Sequence, residues 1–188
     1  MSFLTDKLGL KVPRLDIPVS SSILEMGQEL ANDVGDILPE SNVLLTYEAY
    51  PDNFKIKFWV GDTIVGYFNA SRVMIGGMHW DQSVPAHCKS AWYELHQPPF
   101  WSVRFAEWND GRLIGKNLGF RAYQIIFSYI SERGGAVSPD FCSGGCTSPE
   151  AMRVWKRLRQ IYPSKGPFID LRTASSPPDK AHTIEWSI

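Results

Sequence analysis

Three stretches in which apolar or aromatic residues alternate with polar ones, 43–50, 54–60 and 63–70, follow each other with only Pro51-Asp52-Asn53 and Gly61-Asp62 between them. A connection that short cannot carry a parallel crossover, which takes about a dozen residues or more, so the stretches pair as an antiparallel meander. Their period of two also commits one face of every strand to a core and leaves the other mixed. Any fold for this chain has to be built against that sheet.

The segments on either side change period. Before the meander, Ile23, Met26, Leu30, Val34 and Ile37 lie on one helical stripe that opens at Ser22-Ile23-Leu24-Glu25, a capping-box spacing, and ends near Pro39. Residues 76–99 carry His79, His87, Cys88, His96 and a proline pair, and read mostly as loop around a short strand at 91–95. Residues 101–108 alternate as a fourth strand, and Asn109-Asp110-Gly111 turns the chain. Leu118, Ala122, Ile125, Ile126, Tyr129 and Ile130 then recur at helical spacing as far as Gly134-Gly135. A short strand fits at 136–138, and Ser148-Pro149-Glu150 opens a third helix with Met152, Trp155 and Leu158 on its buried face. Residues 167–173 and 182–188 read as a last pair of strands.

That order predicts an α+β domain with a mixed, mostly antiparallel sheet of six or seven strands flanked by helices. The expected parallel contact is between 102–108 and 136–138, across a helix. Phe105, Leu118, Ile125, Trp155 and Leu158 are the expected core. The chain has 188 residues, 44% of them apolar, enough for one sizeable core and too few for two, so 21–188 reads as one domain. Residues 1–20 hold two prolines and no sustained period, and read as an extended arm available to a protein partner.

Charge and cysteine content narrow the function classes. A net charge of -1 excludes a bulk electrostatic pull toward nucleic acid or anionic membrane. A local basic face remains on the third helix, where Arg153, Lys156, Arg157 and Arg159 read as a solvated surface in preference to a nucleic-acid contact. The apolar runs are all shorter than the roughly 18 residues of a membrane span. Three cysteines, an odd set in a chain of this size, read as thiols of a reducing compartment, so the expected location is cytoplasmic. His79, His87, Cys88, Cys142 and Cys146 match no common zinc-ligand spacing, and no metal site is expected.

The segment Arg112-Leu113-Ile114-Gly115-Lys116-Asn117-Leu118-Gly119 lies between a predicted strand and a predicted helix. Free backbone N–H groups and the positive end of a helix dipole suit a phosphate at such a place, and glycine lets a ligand approach. The same residues also suit a tight strand-to-helix turn that binds nothing. Glu107, just ahead of the turn, reads either as a general base or as an exposed strand-end carboxylate; Tyr162, after the third helix, as a proton donor or as a helix cap.

The pattern Arg112-x-x-Gly115-x-Asn117-Leu118-Gly119-x-x-Ala122-Tyr123 resembles the acyl-CoA pyrophosphate loop of the GNAT superfamily of N-acetyltransferases. Asn117 stands where that family has Gly or Ala. Ser138-Pro139-Asp140, followed by Ser148-x-x-Ala151-x-x-Val154-Trp155-x-x-Leu158, is similar to the stretch after the fifth strand in phage-encoded GNAT-like proteins. The resemblance implies a sheet that splays between its fourth and fifth strands, with the pantetheine arm of acetyl-CoA in the gap and its pyrophosphate on residues 112–119. It further implies acetyl transfer to a primary amine, with Glu107 as base and Tyr162 as acid. Its alternative is a catalytically inactive phage structural or host-interacting protein on the same fold, in the host cytoplasm or the virion.

Overall fold

A computed structural model describes residues 17–75, 84–139 and 147–172. The meander forms as its period dictates, with β1 at Val43–Tyr50, β2 at Asn53–Val60 and β3 at Thr63–Arg72. β4 (Phe100–Trp108) adds antiparallel to β3, and β5 (Ala136–Pro139) adds parallel to β4, pairing from Phe100↔Ala136 to Val103↔Pro139. Two short strands, β6 (Ser164–Lys165) and β7 (Phe168–Asp170), complete a seven-stranded sheet in the order β1-β2-β3-β4-β5-β7-β6. The fold is α+β with a mostly antiparallel open sheet. The arm of residues 1–16, the strand expected at 182–188, His79, Cys142 and Cys146 lie outside the described residues.

One face of the sheet is covered by α1 (Ser21–Ile37), α3 (Leu118–Ser131) and α4 (Pro149–Ile161). Ile23, Leu30 and Val34 of α1 join Phe54, Ile56, Phe58 and Phe68 of the sheet in one core, with Ile125, Ile126 and Tyr129 of α3 and Trp155 and Leu158 of α4. The opposite face is covered near β4 and β7 by α2 (Ala86–Glu94), where Cys88, Ala91 and Trp92 meet Phe100 and Phe168. Residues 76–99 were expected to be mostly loop around a strand at 91–95; residues 86–94 are helical instead, because Cys88, Ala91 and Trp92 fall at i, i+3 and i+4 and so bury one side of a single helical turn.

Three further expectations change. α1 is N-capped at Ser20, and Ser22 lies within the helix. The Ser20 hydroxyl donates across to Glu132 Oε1 at 2.5 Å, tying the start of α1 to the end of α3. Met152 is 42% exposed, and Val154 packs against the core beside Trp155 and Leu158. Phe105 is 54% exposed. The cause is a bulge: Ala70 pairs with Val103 but Asn69 with Phe105, so Arg104 is an extra residue in β4 and the strand's in–out phase flips beyond it. Trp101 and Val103 are buried with the helices before the bulge, whereas Ala106 and Trp108 pack on that side after it.

α1 can lie this close to the meander because Gly27 has no side chain. A Cβ there would collide with the Tyr47 hydroxyl and lie 2.8 Å from a Leu45 methyl. Tyr47 reaches over that gap to donate weakly to the Ile23 carbonyl at 3.4 Å, and burial pushes its phenol pKa up. At the far end, Asp170 accepts three hydrogen bonds from Arg172, whose Nη2 also donates to the Leu95 carbonyl at the end of α2 at 2.7 Å. The guanidinium holds the Asp170 carboxyl below its ordinary 3.8.

Two outcomes follow. Gly27→Ala, although it gains about 1 kcal/mol of helix propensity, is expected to lower unfolding free energy by about 1–3 kcal/mol through overpacking, measured by urea denaturation; a stabilised variant would show that Tyr47 does not need the gap. Asp170→Asn is expected to cost about 1–2 kcal/mol at neutral pH, discounted for the partial exposure of Arg172. Because the folded carboxyl titrates lower than the unfolded one, that difference is complete above pH 3.8 and disappears as pH falls through the folded value. Denaturation curves of both proteins down the acid range check it.

Candidate functional site

β4 outruns β5. Its pairing with β5 ends at Val103↔Pro139, while its pairing with β3 continues to Gly66↔Trp108. Among the described residues, 105–108 therefore have no strand partner on the β5 side, an open edge of about 13 Å. Past Trp108 the chain makes a short 3₁₀ turn at Gly111–Leu113 and enters α3 through Gly115 and Asn117, both at positive φ (77° and 62°). Asn117 is the N-cap residue of α3, and its left-handed backbone leaves it without a side-chain cap hydrogen bond. The first-turn N–H groups of α3 consequently have no acceptor from their own cap.

A cavity of 840 Å³ opens at this point between the turn, α3 and the N-terminal half of α4. Ile114 to Phe120 form one wall, Ala151, Val154 and Arg157 the facing wall, and Phe68, Ala106 and Trp108 the floor. The volume lies within the range of small-molecule and cofactor sites. A Cβ on Gly115 would meet nothing within 4 Å among the described residues, so at Gly115 the turn faces open space. Ser148 caps α4 beside the opening by accepting from the Ala151 amide at 3.2 Å.

Two groups of the cavity were not found from the sequence. Trp108 sits on Gly66 and against the rings of Phe58 and Phe68, both with centroids 5.0 Å away. Its indole Nε1 is buried and has no hydrogen-bond partner among the described residues, and it lies 3.8 Å from where a Gly119 Cβ would be. Arg157, expected on a solvated face, lies over the Phe120 ring at 4.5 Å and donates from Nη1 to Asn117 Oδ1 at 3.2 Å. Burial lowers its pKa, and a guanidinium stays charged in proteins. The bulge hid Trp108, since unbroken alternation of 101, 103, 105 and 107 faces it away from the helices; the helical spacing of Val154 and Arg157 carried the only sequence signal for the second.

The residues named from the sequence are divided by the fold. Leu113, Ile114, Gly115, Lys116, Asn117, Leu118 and Gly119 line the cavity. Arg112 does not; it is exposed and holds Asp110 through Nε and Nη2 at 3.1 and 2.7 Å, which depresses the Asp110 pKa to about 2. Glu107 is exposed, and strand alternation puts it with Phe105 on the sheet face opposite Ala106 and Trp108. Tyr162 is buried as the C-cap of α4 against Phe127, with burial raising its pKa to about 12, and is not a lining residue. Tyr123 is: it accepts a hydrogen bond from Trp155, and burial raises its pKa to about 12 as well.

No helix among the described residues is long and apolar enough to cross a membrane, and no group of three or more His, Cys, Asp or Glu residues among them is arranged to hold a metal ion. Neither protein-family models nor curated protein sequences yield a match to this chain.

The floor of the cavity depends on Gly66. Gly66→Ala would drive a Cβ into the six-membered ring of Trp108, so the variant is expected to lose about 1–3 kcal/mol of stability and to displace the indole toward the cavity. A crystal structure of the variant with the indole unmoved would overturn this.

Proposed function

We propose that the protein binds an acyl-CoA in the cavity and transfers its acyl group to a primary amine. The observation that carries this reading is the junction of two features: the edge of β4 beyond its last pair with β5 among the described residues runs directly into a cavity whose far wall is a left-handed turn at a helix start. An extended amide-bearing arm can hydrogen-bond along such an edge as an added strand would. A diphosphate can rest where the first-turn amides of α3 and its dipole converge. The similarity of residues 112–123 to the GNAT pyrophosphate loop supports the same placement.

The fit rests on particular atoms. Gly115 leaves the approach open, and the Trp108 indole N–H is a buried donor with no partner from the described residues. When bound, the acyl-CoA supplies an activated thioester to an amine nucleophile. The protein's share is to align that thioester, take a proton from the incoming amine and return one to the departing thiolate. Tyr123, protonated at neutral pH and in the cavity wall, is placed to return the proton in the role that the sequence assigned to Tyr162. A base role for Glu107 requires the acceptor to approach across the outer face of the sheet, because the carboxylate is on that side.

A second reading, a non-catalytic protein that binds a partner, is favoured by the exposed Phe105 ring stacked on the half-buried Tyr67 beside Glu107 on the outer face, with centroids 5.7 Å apart.

Coenzyme A at a hundred times its dissociation constant is expected to stabilise the fold by about 2.7 kcal/mol, a rise in melting temperature of roughly 5–10 °C for a domain of this size. No shift at millimolar coenzyme A would overturn the cofactor reading. Gly115→Val, which imposes a β-branched residue at φ 77° in front of the amides, is expected to fold and to bind at least about tenfold more weakly. In an assay of thiol release from acetyl-CoA with a panel of amines, Tyr123→Phe is expected to slow turnover by about a hundredfold with coenzyme A affinity preserved. Equal turnover would remove Tyr123 from the reaction; a stable complex with no thiol release for any amine would favour the second reading.

A further inference from the structure

We propose that Arg157, across the cavity from the turn, is the cation that reads a phosphoryl group bound at Gly115–Asn117, and that Asn117 serves to present it. The inference deepens the cofactor reading and rests on it for the identity of the ligand.

The argument begins with what Asn117 fails to do. At an N-cap, Asn normally accepts from the helix's own second or third amide. Here its φ of 62° turns the side chain away from those amides, and no cap bond forms. The side-chain oxygen goes 40 residues along the chain to Arg157 Nη1 instead. The position that the GNAT pattern gives to Gly or Ala is thus occupied by a residue that tolerates left-handed backbone and also bridges the two walls of the cavity.

Arg157 is restrained from a second direction. Its guanidinium lies 4.5 Å over the Phe120 ring, itself buried, and a weakly hydrated planar cation suits that surface. Ring and amide together fix the plane of a fork of N–H donors. A fork held in this way matches phosphoryl oxygens in pairs, which a solvated lysine does not.

The charges around the cavity point the same way. Among the described residues, three cations, Lys116, Arg153 and Arg157, line it against one carboxylate, Glu150, and that carboxylate accepts from Arg153 Nη2 at 3.2 Å. Arg112, the cation that the turn motif itself suggests, is held by Asp110 outside the cavity lining. Arg157 is the cation that both lines the cavity and is oriented by the turn.

The test measures equilibrium binding of inorganic diphosphate and of coenzyme A to the wild type and to Arg157→Ala, Arg157→Lys and Asn117→Gly. Melting temperatures confirm folding; should Arg157→Ala fail to fold, the other two variants carry the test. Arg157→Ala is expected to weaken both ligands at least about tenfold, with Arg157→Lys in between because it retains charge without the planar fork. Asn117→Gly keeps the left-handed turn and removes only the amide, so it is expected to weaken both ligands several-fold, whereas an obstructing Asn117 would give tighter binding. Equal affinity of the wild type and the Arg157 variants overturns the proposal and leaves the cofactor reading in place, as does a gain in Asn117→Gly. Diphosphate bound through Arg157, with coenzyme A no tighter than diphosphate, upholds the proposal and removes the cofactor reading. A wild type that binds neither ligand overturns both.

Discussion

One extra residue in β4 decides which side chains the candidate site can use. Arg104 interrupts the pairing with β3 between Val103 and Phe105, and every side chain beyond it changes sides. Ala106 and Trp108 join the helical face, while Phe105 and Glu107 go outward. The bulge also falls where β5 leaves β4, so that beyond Val103 the strand pairing of β4 among the described residues is with β3 alone. A regular β4 would put the carboxylate of Glu107 where the floor of the cavity now has the indole of Trp108.

The cavity keeps its shape because the layers under it are set by contacts that tolerate little movement. Gly66 lets Trp108 lie flat on β3, and Gly27 lets α1 close onto Tyr47. α1 is tied sideways to α3 by Arg121, which pairs with Asp33 and reaches Glu29 at 3.8 Å. Burial lowers the Arg121 pKa, with Glu29 acting in the opposite direction. α3 carries the turn at its start, so these contacts fix where its first amides point. Interiors packed in this way transmit small volume changes, and a methyl group at either glycine reaches the site through the backbone.

The two sheet faces differ in chemistry as well as in cover. Outward-facing residues of the meander form a polar lattice: Glu48 accepts from Lys55 at 2.7 Å and from Lys57 at 2.5 Å, which lowers its pKa, and Trp59 Nε1 donates to Thr46 at 2.9 Å. Lys57 also lies 5.9 Å from the centre of the Tyr67 ring, which stacks on Phe105. The helical face is mostly apolar, and donors collect in the cavity: first-turn amides, an indole N–H and a guanidinium. A site rich in donors, with one carboxylate already engaged by Arg153, suits an anionic ligand.

Period and turn length were enough to place the meander, the fourth strand, α3 and α4, because each has a long apolar repeat or a strong cap and needs no distant contact to declare itself. The Gly115 turn was legible for the same local reason. α2 was missed because its burial covers one turn only and is created by Phe100 and Phe168 from elsewhere in the chain. β6, two exposed residues, exists only because β7 offers a partner. The facing of Phe105, Glu107 and Trp108 was misread because a bulge is a property of two strands, and β4 alone carries no sign of it. The sequence by itself thus determined the order of the elements with a strong local signal and the turn that a phosphate would need. Tertiary structure decided which side chains share the cavity, since the meeting of Asn117 with Arg157 across 40 residues depends on how the helices pack and on nothing in either segment alone.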